Sequence, residues 1–174
     1  NFTGDMSNDA GTERLTLIGD GAVSATGAIV IKELALQGTA DYTFDNAGND
    51  ISLLSAGGNS SIGALTLKNA SELVIGTTGA GGDQSQSGVT ASGDVSLTTS
   101  DANIVFNSAV STSSALSIDV GSGEIQLNAG LSSAGDLSLN GATKIQIASV
   151  DLEATNGVLS LNGAVDSAEG TQTL

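Results

Sequence analysis

A short apolar-polar-apolar triplet recurs along this chain with a nearly constant period. The triplets fall into three interleaved series, which begin at Val95, Leu116 and Leu137, at Ile104, Ile125 and Ile145, and at Val110, Leu131 and Val150. The steps within all three series are close to one shared period of about 20 residues. Because side chains alternate along a strand, the outer two residues of a triplet point inward and the middle one points to solvent.

A repeat of this length with three triplets predicts a coil of three short strands. A single coil cannot bury its own inner face, so each coil has to stack on the next, with backbone groups pairing between coils. We therefore predict an all-β parallel β-helix, or β-solenoid, with about 21 residues and three short strands per coil. Upstream triplets are spaced less regularly and begin at Leu15, Val23, Ile29, Leu34, Tyr42, Ile51, Leu65 and Leu73.

The length and composition fit one continuous solenoid domain over residues 1–174. The chain has room for roughly eight coils, which at about 4.8 Å per stacked strand form a rod on the order of 40 Å long. With three Phe, one Tyr and no Trp, the interior is expected to consist of stacked aliphatic side chains. The chain has 24 Gly and no Pro, so Gly, Asn and Asp must make the turns. Since neither end has the polar cap that a solenoid needs, we expect a fragment of a longer repeat protein.

The acidic composition excludes several classes of function. The chain has 19 acidic and four basic residues, for a net charge of −15, and this surface repels nucleic acid and anionic membranes. No stretch has the apolar length of a membrane span, so we expect no membrane insertion. Because the chain has no Cys and no His, nucleophilic triads and zinc sites are excluded in their usual forms.

The repeat is interrupted once, between Leu65 and Val95, whose separation is clearly longer than one period. The excess falls in residues 76–88, a polar segment rich in Gly. We predict a mobile, exposed loop excursion from one corner of a coil, for which a spacer is the simpler interpretation and a functional loop the alternative. Gly79 to Asp83 is similar to one unit of a Gly/Asp calcium repeat, but it occurs once, so only weak surface Ca²⁺ binding and no dedicated cofactor are expected.

Two further features concern the register of the coils. Asn107 and Asn128 are separated by one period of the repeat, so they should stack at a turn and hydrogen-bond along the rod. The triplet at Leu159 has two alternative positions. It either follows Leu137 at a step slightly longer than the period, or it belongs with the series that contains Phe106.

Several runs resemble the repeats of filamentous-haemagglutinin-like large bacterial surface proteins. The runs lie at residues 48–54, 63–67, 73–76, 88–91 and 93–97, and the resemblance covers most of residues 15–165. It implies a right-handed parallel β-helix that forms the non-catalytic shaft of a secreted or cell-surface bacterial adhesin. Its partners would be the neighbouring coils of the parent chain and a glycan or host-surface receptor. Uncapped strand edges would also allow end-to-end self-association.

An alternative from another class is a carbohydrate-binding or carbohydrate-active β-helix. Its best candidate pair is Asp151 and Glu153, which flank inward-facing Leu152 and would lie roughly 7 Å apart on one face. The simpler interpretation is two solvated charges in an acidic chain. Outward hydroxyls could similarly form a ladder that meets ice or glycans, or merely fill the solvent face of strands; they belong to Thr66, Ser96, Ser117 and Ser138.

Overall fold

The computed structural model describes residues 4, 6–7, 14–79 and 85–167, and all regular structure in these residues is β-strand. No helix in the described residues is long and apolar enough to cross a membrane. In chain order the strands are β1 Met6–Ser7, β2 Arg14–Gly19, β3 Ala22–Ser24, β4 Ile29–Gly38, β5 Asp41–Phe44, β6 Asp50–Ala56, β7 Leu65–Asn69, β8 Leu73–Ile75, β9 Thr77–Thr78, β10 Gln86–Ser87, β11 Val89–Ala91, β12 Val95–Thr99, β13 Ile104–Phe106, β14 Val110–Thr112, β15 Leu116–Asp119, β16 Glu124–Leu127, β17 Leu131–Ser133, β18 Leu137–Asn140, β19 Lys144–Ile147, β20 Leu152–Ala154, β21 Leu159–Leu161 and β22 Val165–Ser167.

The strands stack into a parallel β-solenoid of about seven coils with three sides, which we call A, B and C. Side A is a seven-stranded sheet that contains β3, β5, β7, β12, β15, β18 and β21. Side B carries β8, β13, β16, β19 and β22, and side C carries β11, β14, β17 and β20. The long strands β4 and β6 run along both B and C, which joins these two sides into one sheet. The predicted fold class is therefore confirmed.

Like residues stack over like residues, as the repeat predicts. On side A, Val95 pairs with Leu65 in one neighbouring coil and with Leu116 in the other. On side B, Ile104 pairs with Ile125, which pairs in turn with Ile145. These side chains are at most 1 % exposed, and each buried aliphatic side chain contributes about 1.5–3 kcal/mol. The first two triplet series are confirmed.

The third series is wrong at its last member. Leu131 pairs with Leu152, not with Val150. Leu152 therefore follows Leu131 by the same number of residues as Leu131 follows Val110. The turn between β19 and β20 is one residue longer than the turn between β16 and β17, and this moves Val150 into the turn. There its N–H donates a hydrogen bond to the carbonyl of Ala148 at 2.8 Å, and its side chain is half-buried.

Both register questions are answered by the pairing. Leu159 pairs with Leu137, so the alternative with the slightly longer step is the right one. The Nδ2 of Asn128 donates to Oδ1 of Asn107 at 2.9 Å, which confirms the predicted stack. A second such pair joins Asn162 to Asn140 at 2.6 Å. These outward amides link neighbouring coils at the turns.

The coils of the N-terminal half depart from the three-strand pattern. The triplets at Ile29 and Leu34 lie in the single strand β4, because no turn separates sides B and C there. Alternation also fails within β4, since Leu34, Ala35 and Leu36 are all buried. Ser55, which pairs with Ala35, hydrogen-bonds to Thr78 at 2.6 Å. The outer surface of this part of the sheet is therefore covered by the segment that contains Thr78.

That segment is the predicted excursion at 76–88, and its base is an antiparallel hairpin of β9 and β10. The expectation of an exposed loop is wrong for Thr78 and Gln86, which are 0 % and 3 % exposed. The hairpin is held by polar contacts and not by apolar ones. Besides the bond between Thr78 and Ser55, the N–H of Gly79 donates to Glu33 Oε2 at 2.9 Å. Residues 80–84, with most of the calcium-like run, lie outside the described residues.

Two buried asparagines that the sequence analysis missed close the corner between sides A and B. Asn69 is 0 % exposed; its Oδ1 accepts from the N–H of Ile51 at 2.8 Å, and its Nδ2 donates to the carbonyl of Ile51 at 3.0 Å. The Oδ1 of Asn49 accepts the equivalent bond from the N–H of Ile29 at 2.8 Å. Each amide thus replaces the backbone pairing that the turn interrupts.

We predict that Asn69→Ala destabilises the rod far more than Asn128→Ala. Loss of the Asn69 amide leaves the buried N–H of Ile51 without an acceptor, which costs about 1–3 kcal/mol. Loss of the exposed amide of Asn128 should cost less than about 0.5 kcal/mol. Urea unfolding followed by circular dichroism measures both. Equal losses of unfolding free energy in the two variants would contradict the proposed stabilisation of the corner by the Asn69 amide.

Candidate functional site

Side A presents a continuous row of hydroxyl groups to solvent, which we call the hydroxyl row. Its members occupy equivalent outward positions in successive strands, and each pairs with the next in register. Neighbouring hydroxyls lie one strand apart, about 4.8 Å. Four of these positions were predicted as a ladder, and the structure places them in a longer one. The row comprises Ser24, Thr43, Thr66, Ser96, Ser117, Ser138 and Ser160.

A second row on side A alternates acidic and small apolar residues from one coil to the next, and we call it the aspartate row. Each Asp accepts a hydrogen bond from the backbone N–H of the following coil. Alternation keeps the carboxylates two coils apart, which reduces the repulsion that directly stacked like charges would cause. The bonds are Ala64 N to Asp41 Oδ1 at 2.7 Å, Ala115 N to Asp94 Oδ1 at 3.1 Å and Val158 N to Asp136 Oδ1 at 2.8 Å.

The acids with perturbed titration are stabilised in the ionised form. Hydrogen bonds from the Ser114 hydroxyl and then from the Ala115 N–H lower the pKa of Asp94. The N–H and then the hydroxyl of Ser122 lower the pKa of Asp101. A general acid at neutral pH needs a raised carboxyl pKa. These two carboxylates are therefore suited to accept hydrogen bonds in turns and not to donate protons.

The predicted pair Asp151 and Glu153 lies at the start of β20, and both residues are exposed. The hydroxyl of Thr155 donates to Glu153 Oε1 at 3.1 Å. Leu152 between them is half-buried and packs against the core. Among the described residues, no three His, Cys, Asp or Glu side chains are grouped to hold a metal ion. Catalysis by this pair stays a prediction.

The structure also contains a cleft that the sequence analysis did not identify, at the edge where β10 meets β2 and β4. Its volume is about 240 Å³. We call it the hairpin cleft. The only sequence signal for it was the excess length of the repeat between Leu65 and Val95, since the walls come from segments far apart in the chain. The side chains in its walls are Ile18, Gln37, Asn59, Ser60, Ser85 and Gln86.

No family model matches the chain, and neither the curated proteins nor the solved structures contain a match.

We predict that Asp94→Asn lowers stability at neutral pH by less than about 1 kcal/mol, because the carboxylate is solvated. The pKa of Asp94 is lower in the folded state than its ordinary value of 3.8. Its contribution is therefore complete above this ordinary value and is lost as the pH falls through the folded-state pKa. The urea midpoint of Asp94→Asn should consequently fall less on acidification than that of the parent chain.

Urea titrations from about pH 7 to about pH 2 test this difference in slope. Ser111→Ala is a suitable control, because it removes an exposed hydroxyl of β14 from the same part of the rod. An acid profile of Asp94→Asn that parallels the profiles of both the parent and Ser111→Ala would refute the stabilising role of the aspartate row at this position.

Proposed function

We propose that this chain is a structural shaft, a rigid spacer that holds other domains at a distance and performs no catalysis. The observation that carries the proposal is the unbroken stack of side A, in which seven strands pair in register. In a stack of this kind each coil adds a fixed increment to the length of the rod, because each coil contacts only its neighbours. The acidic exterior, with a net charge of −15, also opposes lateral association.

The setting of the shaft follows from the resemblance of the repeats. We infer a large secreted or cell-surface bacterial protein of the adhesin type, with right-handed coils and with neighbouring solenoid coils on either side of this segment. The repeat runs at residues 48–54 and 93–97 support this setting. A glycan or host-surface receptor would be contacted by the parent protein.

The shaft proposal predicts that length changes in steps of one strand spacing. Removal of residues 95–136 deletes two complete coils and joins Asp94 to Leu137, which restores the local sequence of Asp136 and Leu137. Spin labels at Ser24→Cys and Ser160→Cys should then be about 10 Å closer than in the parent. Because the chain has no other cysteine, electron-spin distance measurements can read this change directly.

A rigid shaft requires a narrow distance distribution in both versions, whereas a broad one would refute the proposal. A second experiment tests the spacer function directly. A receptor-binding domain is fused after the shaft, and a surface anchor is fused before it. Capture of a receptor-coated bead should depend on the deletion and not on Ser96→Ala or Ser117→Ala. Polysaccharide cleavage lost in Asp151→Asn and Glu153→Gln would instead favour the enzymatic alternative.

We also propose that the outer edge of the last described coil pairs with a further coil. Within the described residues, β20, β21 and β22 each pair on one side only. Three apolar side chains are exposed there: Val158 at 68 %, Leu159 at 43 % and Val165 at 41 %. A neighbouring coil of a longer protein would cover them, and in the isolated chain a second copy would do so.

From this edge we predict concentration-dependent, end-to-end association of the isolated chain. Leu159→Lys with Val165→Lys should abolish it, because two charges would be stacked against the incoming strands. Sedimentation velocity over about a hundredfold range of concentration measures the effect. Ile18→Lys is the matched control, since Ile18 is equally apolar and 71 % exposed but does not lie on this edge. A strict monomer at the highest concentration would exclude the association.

A further inference from the structure

The hairpin cleft differs from the rest of the surface in its charge. The chain carries 19 acidic residues, yet none of the described residues that line the cleft is charged. A cation site would need carboxylates, and an anion site would need Lys, Arg or a convergent set of N–H groups. The described lining therefore fits an uncharged group.

All polar side chains in its walls are uncharged and can both donate and accept hydrogen bonds. Three amides, Gln37, Asn59 and Gln86, and two hydroxyls, Ser60 and Ser85, line the walls. An amide offers both an acceptor and two donors, and a hydroxyl offers one donor and two acceptors. Groups of this kind match a ligand that itself carries several hydroxyls, since each partner can both donate and accept.

One of these amides is buried and only half satisfied. Gln86 is 3 % exposed, and its Nε2 donates to the carbonyl of Leu36 at 2.9 Å. That bond fixes the orientation of the amide, because a carbonyl can only accept. The opposite atom, Gln86 Oε1, has no hydrogen-bond partner among the described residues. Buried acceptors without a partner are rare in proteins.

The unpaired acceptor lies next to the floor of the cleft. A Cβ placed on Gly58 would be 3.1 Å from Gln86 Oε1, so the backbone at Gly58 lies directly against this acceptor. Gly58 has a φ of +75°, which a side chain would strain. On the outer wall, Ile18 is 71 % exposed and supplies an apolar surface. The cleft thus pairs an apolar wall with an amide-rich floor.

We propose that the hairpin cleft binds a sugar residue of a neutral glycan. The C–H face of the ring packs against Ile18, and the ring hydroxyls bond to the amides of Gln37 and Asn59. The Gln86 amide, which is fixed by its bond to the Leu36 carbonyl, forms the floor under the sugar. With one aliphatic contact and no aromatic platform, the affinity is in the millimolar range. This site is separate from Asp151 and Glu153 and does not depend on the shaft proposal.

Saturation-transfer NMR on the whole chain tests the proposal with two sets of probes. One set contains methyl glycosides of glucose, galactose, mannose and N-acetylglucosamine, and the other contains neutral oligosaccharides of the same sugars. Binding of the glycosides alone would identify a site for a single terminal sugar, and stronger binding of the oligosaccharides a site for a chain. Glucuronate and Ca²⁺ serve as charged probes and should not compete.

Two variants with matched controls locate the binding. Ile18→Ser should weaken it at least about fivefold, whereas Val158→Ser, which changes an equally exposed apolar residue elsewhere on the rod, should have no effect. Asn59→Ala should weaken it comparably, whereas Asn156→Ala should not. All four positions are exposed, so circular dichroism should show unchanged folding. Gln86→Leu is a further variant, but it also removes the bond to Leu36.

The proposal is overturned if no neutral sugar of either set binds at about 10 mM, well above the expected dissociation constant. It is also overturned if Ile18→Ser and Val158→Ser have the same effect, or if glucuronate or Ca²⁺ displaces the sugar. None of these results bears on the spin-label distances, so the glycan site and the shaft can fail independently.

Discussion

Parallel pairing between coils, with each aliphatic side chain stacked on one of its own kind, is the interaction on which the rest of the structure depends. The row Ile104, Ile125 and Ile145 stacks identical side chains, whereas Val95 stacks between Leu65 and Leu116. Because neighbouring coils share one backbone register, each inward side chain contacts the residues in the same position above and below it. A well-packed pair in one coil therefore selects the same residue type in the next, and a repeat follows from the geometry.

Backbone pairing between coils is interrupted at the corners. Polar side chains form hydrogen bonds with the main chain there in place of the missing backbone pairs. Asn49 and Asn69 fill the interior corner with amides that bond to main-chain groups. Asp41 and Asp94 do the same from outside, reaching the N–H of the following coil. An acidic composition is compatible with tight stacking because the carboxylates of the aspartate row alternate with small residues and accept hydrogen bonds from the backbone.

The sequence could predict whatever repeats with a fixed period, and little else. Sides A and B were predictable because their triplets recur at nearly constant steps, and the stack of Asn107 on Asn128 followed from the same spacing. Val150 was misassigned because turn length varies by one residue while the strands keep their register. The hairpin cleft could not be predicted, since Ile18 and Gln86 are brought together only by an insertion that has no counterpart in the other described coils.

The position of that insertion separates two properties of the rod. Leu65 still pairs with Val95 across the lengthened interval, so side A passes the hairpin without a break in register. On side C, by contrast, β11 pairs with Ala56 through Val89 and with Ile62 through Ala91, because the turn at residues 57–61 interrupts the preceding coil. The length and stiffness of the rod thus depend on the regular sides, whereas the hairpin cleft lies at the corner where the repeat is interrupted. Solenoids admit insertions at corners for this reason, and a corner insertion can add a binding site to a rod without shortening or bending it.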